Sequence, residues 1–354
     1  MTGSKACSSV KDASGIRALR LDNRPVKCHF RIVSLEKLEQ LRGIMRSYGS
    51  CLVAYSGGVD SVFLARVAHE VLADKSLAVI ADSPSLPRRE LEEALALGRQ
   101  FLFPVRVIHT HEFANASYTA NPGNRCYFCK HELFTELAPL AKAEGFAVIA
   151  YGENASDAGD FRPGTQAAQE FQVRAPLKEA GLTKAEIREL SARFGLPTAD
   201  KPQMACLSSR VPHGETVTPE KLRMIEAAEN VLRDLGFYDV RVRHHELTGA
   251  SAGWQAAQNG APNLAEKLPA TRPASPITHL ARIEVGPTEL PKFLAGGISQ
   301  RVAEALRQIG YAHVTLDLLG YRRGSLNGAA GPQLAVPAAK GEHGVKGGAQ
   351  SAKL

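Results

Sequence analysis

Cys51-Leu-Val-Ala-Tyr-Ser-Gly-Gly-Val-Asp-Ser-Val62 is the stretch that decides the fold. Cys51–Tyr55 is an unbroken apolar run that stops at Ser56-Gly57-Gly58, which reads as a short buried strand. A helix is expected from Val62 to about Leu72, so the loop joins a strand to a helix N-terminus. A glycine pair lets the backbone approach a ligand closely. The free N–H groups and dipole of the helix start favour an anion there. Ser56 and Ser61 can donate to phosphate oxygens, and Asp60 can hold Mg²⁺ or cap the helix. The Lys of a Walker A loop is missing, so γ-phosphate transfer is not indicated. The bland alternative is an ordinary glycine turn with a Ser/Asp cap. Six such residues in strand–turn–helix context favour a nucleotide site.

Outward from this loop, strands alternate with helices. Strands are expected at Leu77–Ala81, Val105–His109 and Ala147–Gly152. Helices are expected at Leu35–Tyr48, Leu86–Phe103 and Lys130–Glu144. The alternation predicts an α/β fold, a parallel sheet with helices on both faces. Thr183-Lys-Ala-Glu186 reads as a capping box opening a helix that ends at Gly195. The pattern then changes. A helix from Thr218 to Leu235, strands at Tyr238–His244, His279–Val285 and His313–Leu318, and a mainly helical Pro287–Gly310 predict a smaller α+β domain. Leu247–Thr278 has no sustained period and reads as a mobile insertion. The expected organisation is a disordered extension (1–34), a nucleotide domain (35–205), a second domain (206–328) and a disordered tail (329–354). No internal repeat is evident.

A chain of 354 residues with 44% apolar and 22% charged residues is long enough for two cored domains. The formal charge of +7 is unevenly spread. Residues 1–34 carry seven Lys/Arg and two Asp, and residues 331–354 carry three Lys and one Glu, which accounts for all of it. The remainder is formally neutral, so no footprint for a long polyanion is implied and nucleic acid is not an expected partner. No apolar run reaches the length of a membrane span. No signal-peptide pattern opens the chain, although its Arg-rich, acid-poor start loosely resembles a transit peptide. A cytoplasmic protein is expected, with homo-oligomerisation left open.

Of the six cysteines, Cys7 and Cys28 lie in the expected extension and Cys51 reads as inert core. Without a secretion signal a disulfide framework is not expected. Asn124-Arg-Cys126-Tyr-Phe-Cys129-Lys130 places a C-x-x-C immediately before a helix, where the helix start, Arg125 and Lys130 would stabilise thiolates. A zinc knuckle is the bland alternative, but a four-cysteine site needs another spaced pair, and none is present. Cys206 sits alone in Lys201-Pro-Gln-Met-Ala-Cys-Leu-Ser-Ser-Arg210, where Lys201 and Arg210 could lower its pKa and bind an anion.

The Ser56–Ser61 loop resembles the PP-loop of the ATP pyrophosphatase superfamily, which includes GMP synthetase, NAD synthetase and tRNA-thiolating enzymes. That resemblance implies ATP cleavage between the α- and β-phosphates and an adenylated substrate. Ligands of such folds sit beyond the carboxyl ends of the strands. Asp82 and Ser83 should therefore lie near the adenosine, and Gly152, Glu153, Asn154 and Asp157 near the same crevice; for both aspartates, helix capping is the competing role.

The resemblance sharpens with motifs standing in order. After the loop come Gly123–Lys130, Asp160-Phe-Arg-Pro-Gly164 and Lys201–Arg210. Arg241-Val-Arg-His-His245, Ala281-Arg-Ile-Glu284 and Leu316–Arg322 follow. Over about residues 35–328 the chain resembles the LarE-type ATP-dependent sulfur transferases. The resemblance implies pyridinium-3,5-biscarboxylic acid mononucleotide as substrate, converted to thiocarboxylates on the way to a nickel-pincer nucleotide. It also implies one of two sulfur sources. In one, Cys206 is sacrificed and becomes dehydroalanine. In the other, Cys126, Cys129 and Cys206 hold a [4Fe–4S] cluster with one iron left open. The unused C-x-x-C of the first option favours the cluster; the physiological sulfur donor is left open. Arg210, Arg243 and Arg322 are candidate forks for the substrate phosphate. For Arg322 and Glu284 a solvated or structural ion pair is the stronger reading, and His244 and His245 receive no role. A tRNA thiolase shares the loop and three cysteines, but the neutral core and the lack of an RNA-binding module argue against it. A non-catalytic zinc or redox module is a third class, which pyrophosphate release would dismiss.

Overall fold

β1 (Cys51–Tyr55) lies inside a four-stranded parallel sheet ordered β3-β2-β1-β4, with β2 at Ser76–Asp82, β3 at Val105–His109 and β4 at Val148–Tyr151. The computed structural model describes residues 24–157, 163–203, 205–247 and 278–322. The expected Leu247–Thr278 insertion, the C-terminal tail, residues 1–23 and Asp160–Arg162 fall almost wholly outside that range.

Strand alternation sorts the first core into two layers. Cys51, Val53, Tyr55, Ala78 and Ile80 face α1 (Arg24–Tyr48), α2 (Val59–Leu72), α3 (Arg88–Gln100) and α8 (Lys184–Arg193). Leu52, Leu77 and Val79 face α5 (Arg125–Glu144) and α6 (Pro163–Glu170). Cys51 is fully buried and its thiol is pushed up to about 12 by desolvation. Two short helices, α4 (Ala116–Thr119) and α7 (Pro176–Glu179), complete this half. α8 opens on the expected capping box, with Thr183 and Glu186 exchanging both bonds.

Several boundaries differ from the sequence reading, three of them with consequences. α1 begins at Arg24, upstream of Leu35, because Pro25 is tolerated in a first turn that lacks intrahelical acceptors. Residues 24–34 are therefore helical rather than an extension. α5 begins at Arg125, so the C-x-x-C lies within the first turns of a helix and not before it. Pro287–Leu294 is 3₁₀, and the α-helix proper is α10 (Ile298–Ile309).

The second sheet is mixed. β5 (Val240–Leu247) pairs antiparallel with β6 (Thr278–Val285), which pairs parallel with β7 (His313–Leu316). α9 (Pro219–Asp234), capped by Thr218, and α10 pack on Val240, Val242, Ala281, Ile283 and Val285. Among the described residues no helix is long and apolar enough to cross a membrane.

Candidate functional site

Chain order along the first sheet reverses at β1: β2 and β3 lie to one side and β4 to the other. The crevice at the carboxyl ends of β1 and β4 is thus the switch point where open α/β sheets bind ligands. Ser56–Ser61 leaves β1 there, and Gly152–Asp157 leaves β4. Gly57 has φ +71°, and a Cβ on it would lie 2.9 Å from Ala94 Cβ. Gly152 has no room either: a Cβ would meet Asp60 Cβ and the Ser61 nitrogen at 3.1 Å. Gly57 lets the loop close on α3 at Ala94, and Gly152 lets the exit of β4 close on the start of α2, whose first N–H groups lack intrahelical acceptors.

The loop side chains divide by task. Ser56 is exposed at the crevice. Ser61 is buried; its Oγ accepts from Ser56 N and donates to Gly58 O, both at 3.1 Å. Ser61 therefore shapes the loop first. Asp60 Oδ2 lies 2.5 Å from Lys184 Nζ, and Oδ1 accepts from Asn154 at 3.4 Å. Burial raises the Asp60 pKa, against the pull of Lys184. Lys184, at the start of α8, brings a cation to the crevice that the sequence reading missed. Asp157 accepts from Asn154 N at 3.2 Å, the turn-capping role.

Asp82 pairs with Arg88 at 2.5 Å. Ser83 Oγ accepts from Ser85 N at 3.2 Å. Asp82, Ser83, Arg88 and Thr110 line a cleft of about 500 Å³ at the carboxyl ends of β2 and β3.

Cys206 reaches this region through backbone ties. Leu207 N donates to Ser85 O at 2.9 Å. The hydroxyls of Ser85, Tyr118 and Ser208 form a buried triangle with edges of 2.5, 2.8 and 2.9 Å. Arg125, itself buried, donates to Ser208 O at 3.0 Å and to Asn121 Oδ1. Asn121 in turn holds Pro212 O at 2.6 Å. The segment carrying Cys206 is thus tied both to the exit of β2 and to the first turn of α5, which carries Cys126 and Cys129.

The three thiols share one electrostatic field. Cys126 is raised by desolvation first and by Cys206 second, against Arg125 and Lys130. Cys129 is raised by desolvation, then by Cys206, Glu112 and Cys126. The helix start and its cations therefore do not make free thiolates of this pair, contrary to the sequence expectation, because dense surroundings and neighbouring sulfurs outweigh them. Cys126 nevertheless reaches solvent, and Cys129 and Cys206 do so in part. Three sulfur donors from two tied segments suit a soft iron–sulfur group, whose positive charge would reverse the mutual repulsion.

The cationic residues behave differently from expectation. Arg210 is fully buried, with Nε 2.8 Å and Nη2 3.1 Å from the Glu229 carboxylate. Its Nη1 donates to Ala205 O at 2.6 Å and Cys206 O at 3.0 Å. Arg243 is held by Glu284 at 2.7 Å and donates to Ser209 O at 2.9 Å. Both forks are committed to the protein, so Arg210 and Arg243 position the cysteine segment instead of offering a free fork to a phosphate. Lys201 is likewise held by Glu90 at 2.5 Å and Glu93 at 2.9 Å. Arg322 is half exposed, 3.5 Å from Asp317, and keeps most of its donors. Glu284 also pairs with Arg282 at 2.9 Å, the structural ion pair expected of it.

No family model matches the chain. It is 41% identical to an uncharacterized protein of Synechocystis over 82% of this chain and 97% of that one. It is 27% identical to the glutamine-hydrolyzing GMP synthase of Phenylobacterium zucineum over 54% of this chain and 41% of that one. The pyridinium-3,5-bisthiocarboxylic acid mononucleotide synthase of Lactiplantibacillus plantarum is 30% identical over 78% of this chain and 88% of its own length. With that relative matched along nearly its whole length, the chain belongs to the LarE-type family.

Proposed function

We propose that the protein uses ATP to adenylate a carboxylate of pyridinium-3,5-biscarboxylic acid mononucleotide and then replaces an oxygen of that carboxylate with sulfur. The observation that supports this best is the pair of backbone ties at Cys206. Through Leu207 to Ser85 and through Ser208 to Arg125, one sulfur-bearing segment is tied both to the exit of β2 and to the helix that carries the C-x-x-C. A carboxylate oxygen attacks the α-phosphorus and pyrophosphate leaves. The N–H groups at the start of α2, Ser56 and Lys184 line that end of the crevice and counter the growing negative charge. Mg²⁺ would act with them; Asp60, now held by Lys184, is its candidate ligand. The acyl-adenylate carries AMP as a leaving group that a sulfur nucleophile can displace.

For the sulfur source we favour Cys126, Cys129 and Cys206 as ligands of a [4Fe–4S] cluster. Such a group, when bound, supplies a renewable sulfide-carrying position. The second reading keeps Cys206 as the nucleophile: its sulfur displaces AMP to give a thioester, and loss of the Cα proton then breaks the Cβ–S bond. That leaves a thiocarboxylate and dehydroalanine. The full chain, purified anaerobically, is incubated with ATP, Mg²⁺ and the dicarboxylate nucleotide. AMP, pyrophosphate and a thiocarboxylate are expected, and Cys206→Ala should still form AMP and pyrophosphate without the thiocarboxylate. ADP as product would sink the adenylation reading. Iron-free protein that stays active without Cys126 and converts Cys206 to dehydroalanine would select the second sulfur source.

A further inference from the structure

His244, Glu246 and His279 lie on the face of the second sheet turned away from the cysteine segment. Strand geometry places them there. His244 and Glu246 are two residues apart on β5 and share a face. His279 stands directly opposite Glu246 in the antiparallel β5/β6 register. Val240 and Val242, on this same face, pack in the core under α9 and α10, whereas Arg243 on the opposite face reaches Ser209. One ligand atom from each of His244, Glu246 and His279 falls within 4.8 Å of the others.

A second observation points to a ligand. His244 is fully buried, and among the described residues its Nε2 has no hydrogen-bond partner; His279 Nδ1 is also buried and, among the same residues, unpartnered. Buried polar atoms left unpaired are rare and costly. The other nitrogen of His244, Nδ1, lies 3.1 Å from the Tyr311 hydroxyl. With Nδ1–H donating to Tyr311, Nε2 carries the lone pair, which is the outer-shell arrangement that orients a metal-ligating histidine. The surrounding charges are mixed. Lys221 Nζ lies 2.9 Å from Glu246 Oε1 and opposes a cation. Glu215 offsets it: its carboxylate accepts from the Glu246 N–H, and its Oε2 is buried without a partner among the described residues. Glu246 Oε2 remains to serve as a ligand.

We infer that His244, Glu246 and His279 form a site for one borderline divalent ion of the Zn²⁺ class, pinning the ends of β5 and β6. Two imidazoles and one carboxylate suit such an ion, and the three-ligand set leaves a fourth position for water. The site is independent of the cysteines and of the proposed sulfur transfer.

The test uses the full chain carrying Cys126→Ser and Cys206→Ser, which removes the competing thiol set. The metal-stripped protein is titrated with Zn²⁺ by calorimetry and melted with and without the ion. One Zn²⁺ per chain and a raised melting temperature are expected. Both should disappear in His279→Gln, whose metal-free melting temperature should match its parent. Glu246→Gln serves in its place if that variant does not fold, with at least a tenfold loss of affinity expected. An absence of binding, or one ion bound equally well by the folded ligand variant, overturns the site.

Discussion

Glu229→Gln tests whether the cysteine segment is held from beneath. Glu229 is 2% exposed and accepts from Arg210 through both carboxylate oxygens, while Arg210 is 0% exposed and holds Ala205 O and Cys206 O. Arg210 draws the Glu229 pKa below its usual range even though burial alone would raise it. The amide keeps the shape but leaves a buried guanidinium without its counter-charge. Breaking one side of a buried pair costs about 3–5 kcal/mol. At about 2–4 °C per kcal/mol, the melting temperature should fall by something on the order of 6–20 °C. Calorimetry measures this, and iodoacetamide labelling of Cys206, followed by mass spectrometry, measures how well the segment is held. Labelling should accelerate in Glu229→Gln. The double variant Arg210→Met/Glu229→Leu removes both charges and should recover much of the stability, because an apolar pair of similar volume tolerates burial. Its Cys206 labelling should stay fast, since the guanidinium that binds the carbonyls of 205 and 206 is then gone and only the Ser209 N–H still holds Cys206 O. Wild-type melting and labelling in Glu229→Gln would refute the argument.

Gly152→Ala places a methyl 3.1 Å from Asp60 Cβ and Ser61 N, and Gly57→Ala adds a positive-φ penalty to a 2.9 Å contact with Ala94. Each should cost about 1–3 kcal/mol of stability and weaken ATP binding at least tenfold, measured by calorimetry on the folded variants. Glu186 is held below the usual carboxylate range: desolvation raises it, but Lys37 and the Thr183 capping bonds lower it further. Its contribution is therefore present above the unfolded pKa near 4.5 and lost as pH falls through the lower folded value. Glu186→Ala should cost about 1–2 kcal/mol at neutral pH, and progressively less in acid, by denaturant melts across pH 2–7.

The strand–loop–helix of residues 51–72, the parallel sheet and the capping box of α8 were legible locally, because each is written in residues a few positions apart. Val105–His109 coincides with β3. Helix starts were harder, as at Arg24 and Arg125, since a helix can run past its apolar pattern. The residue types of the candidate site were also legible: a glycine loop at a strand exit, a C-x-x-C and a lone cysteine among cations. Only the tertiary structure decided what those cations do. Arg210 and Glu229 are 19 positions apart, Arg243 and Glu284 are 41 apart, and Arg125 reaches Ser208 across 83. A guanidinium reads the same in sequence whether it faces solvent or a buried carboxylate. Its burial and its partner, not its identity, decide whether its donors remain free for a ligand. The pairing of His244, Glu246 and His279 is of the same kind, since the register between β5 and β6 sets which histidine stands opposite which carboxylate.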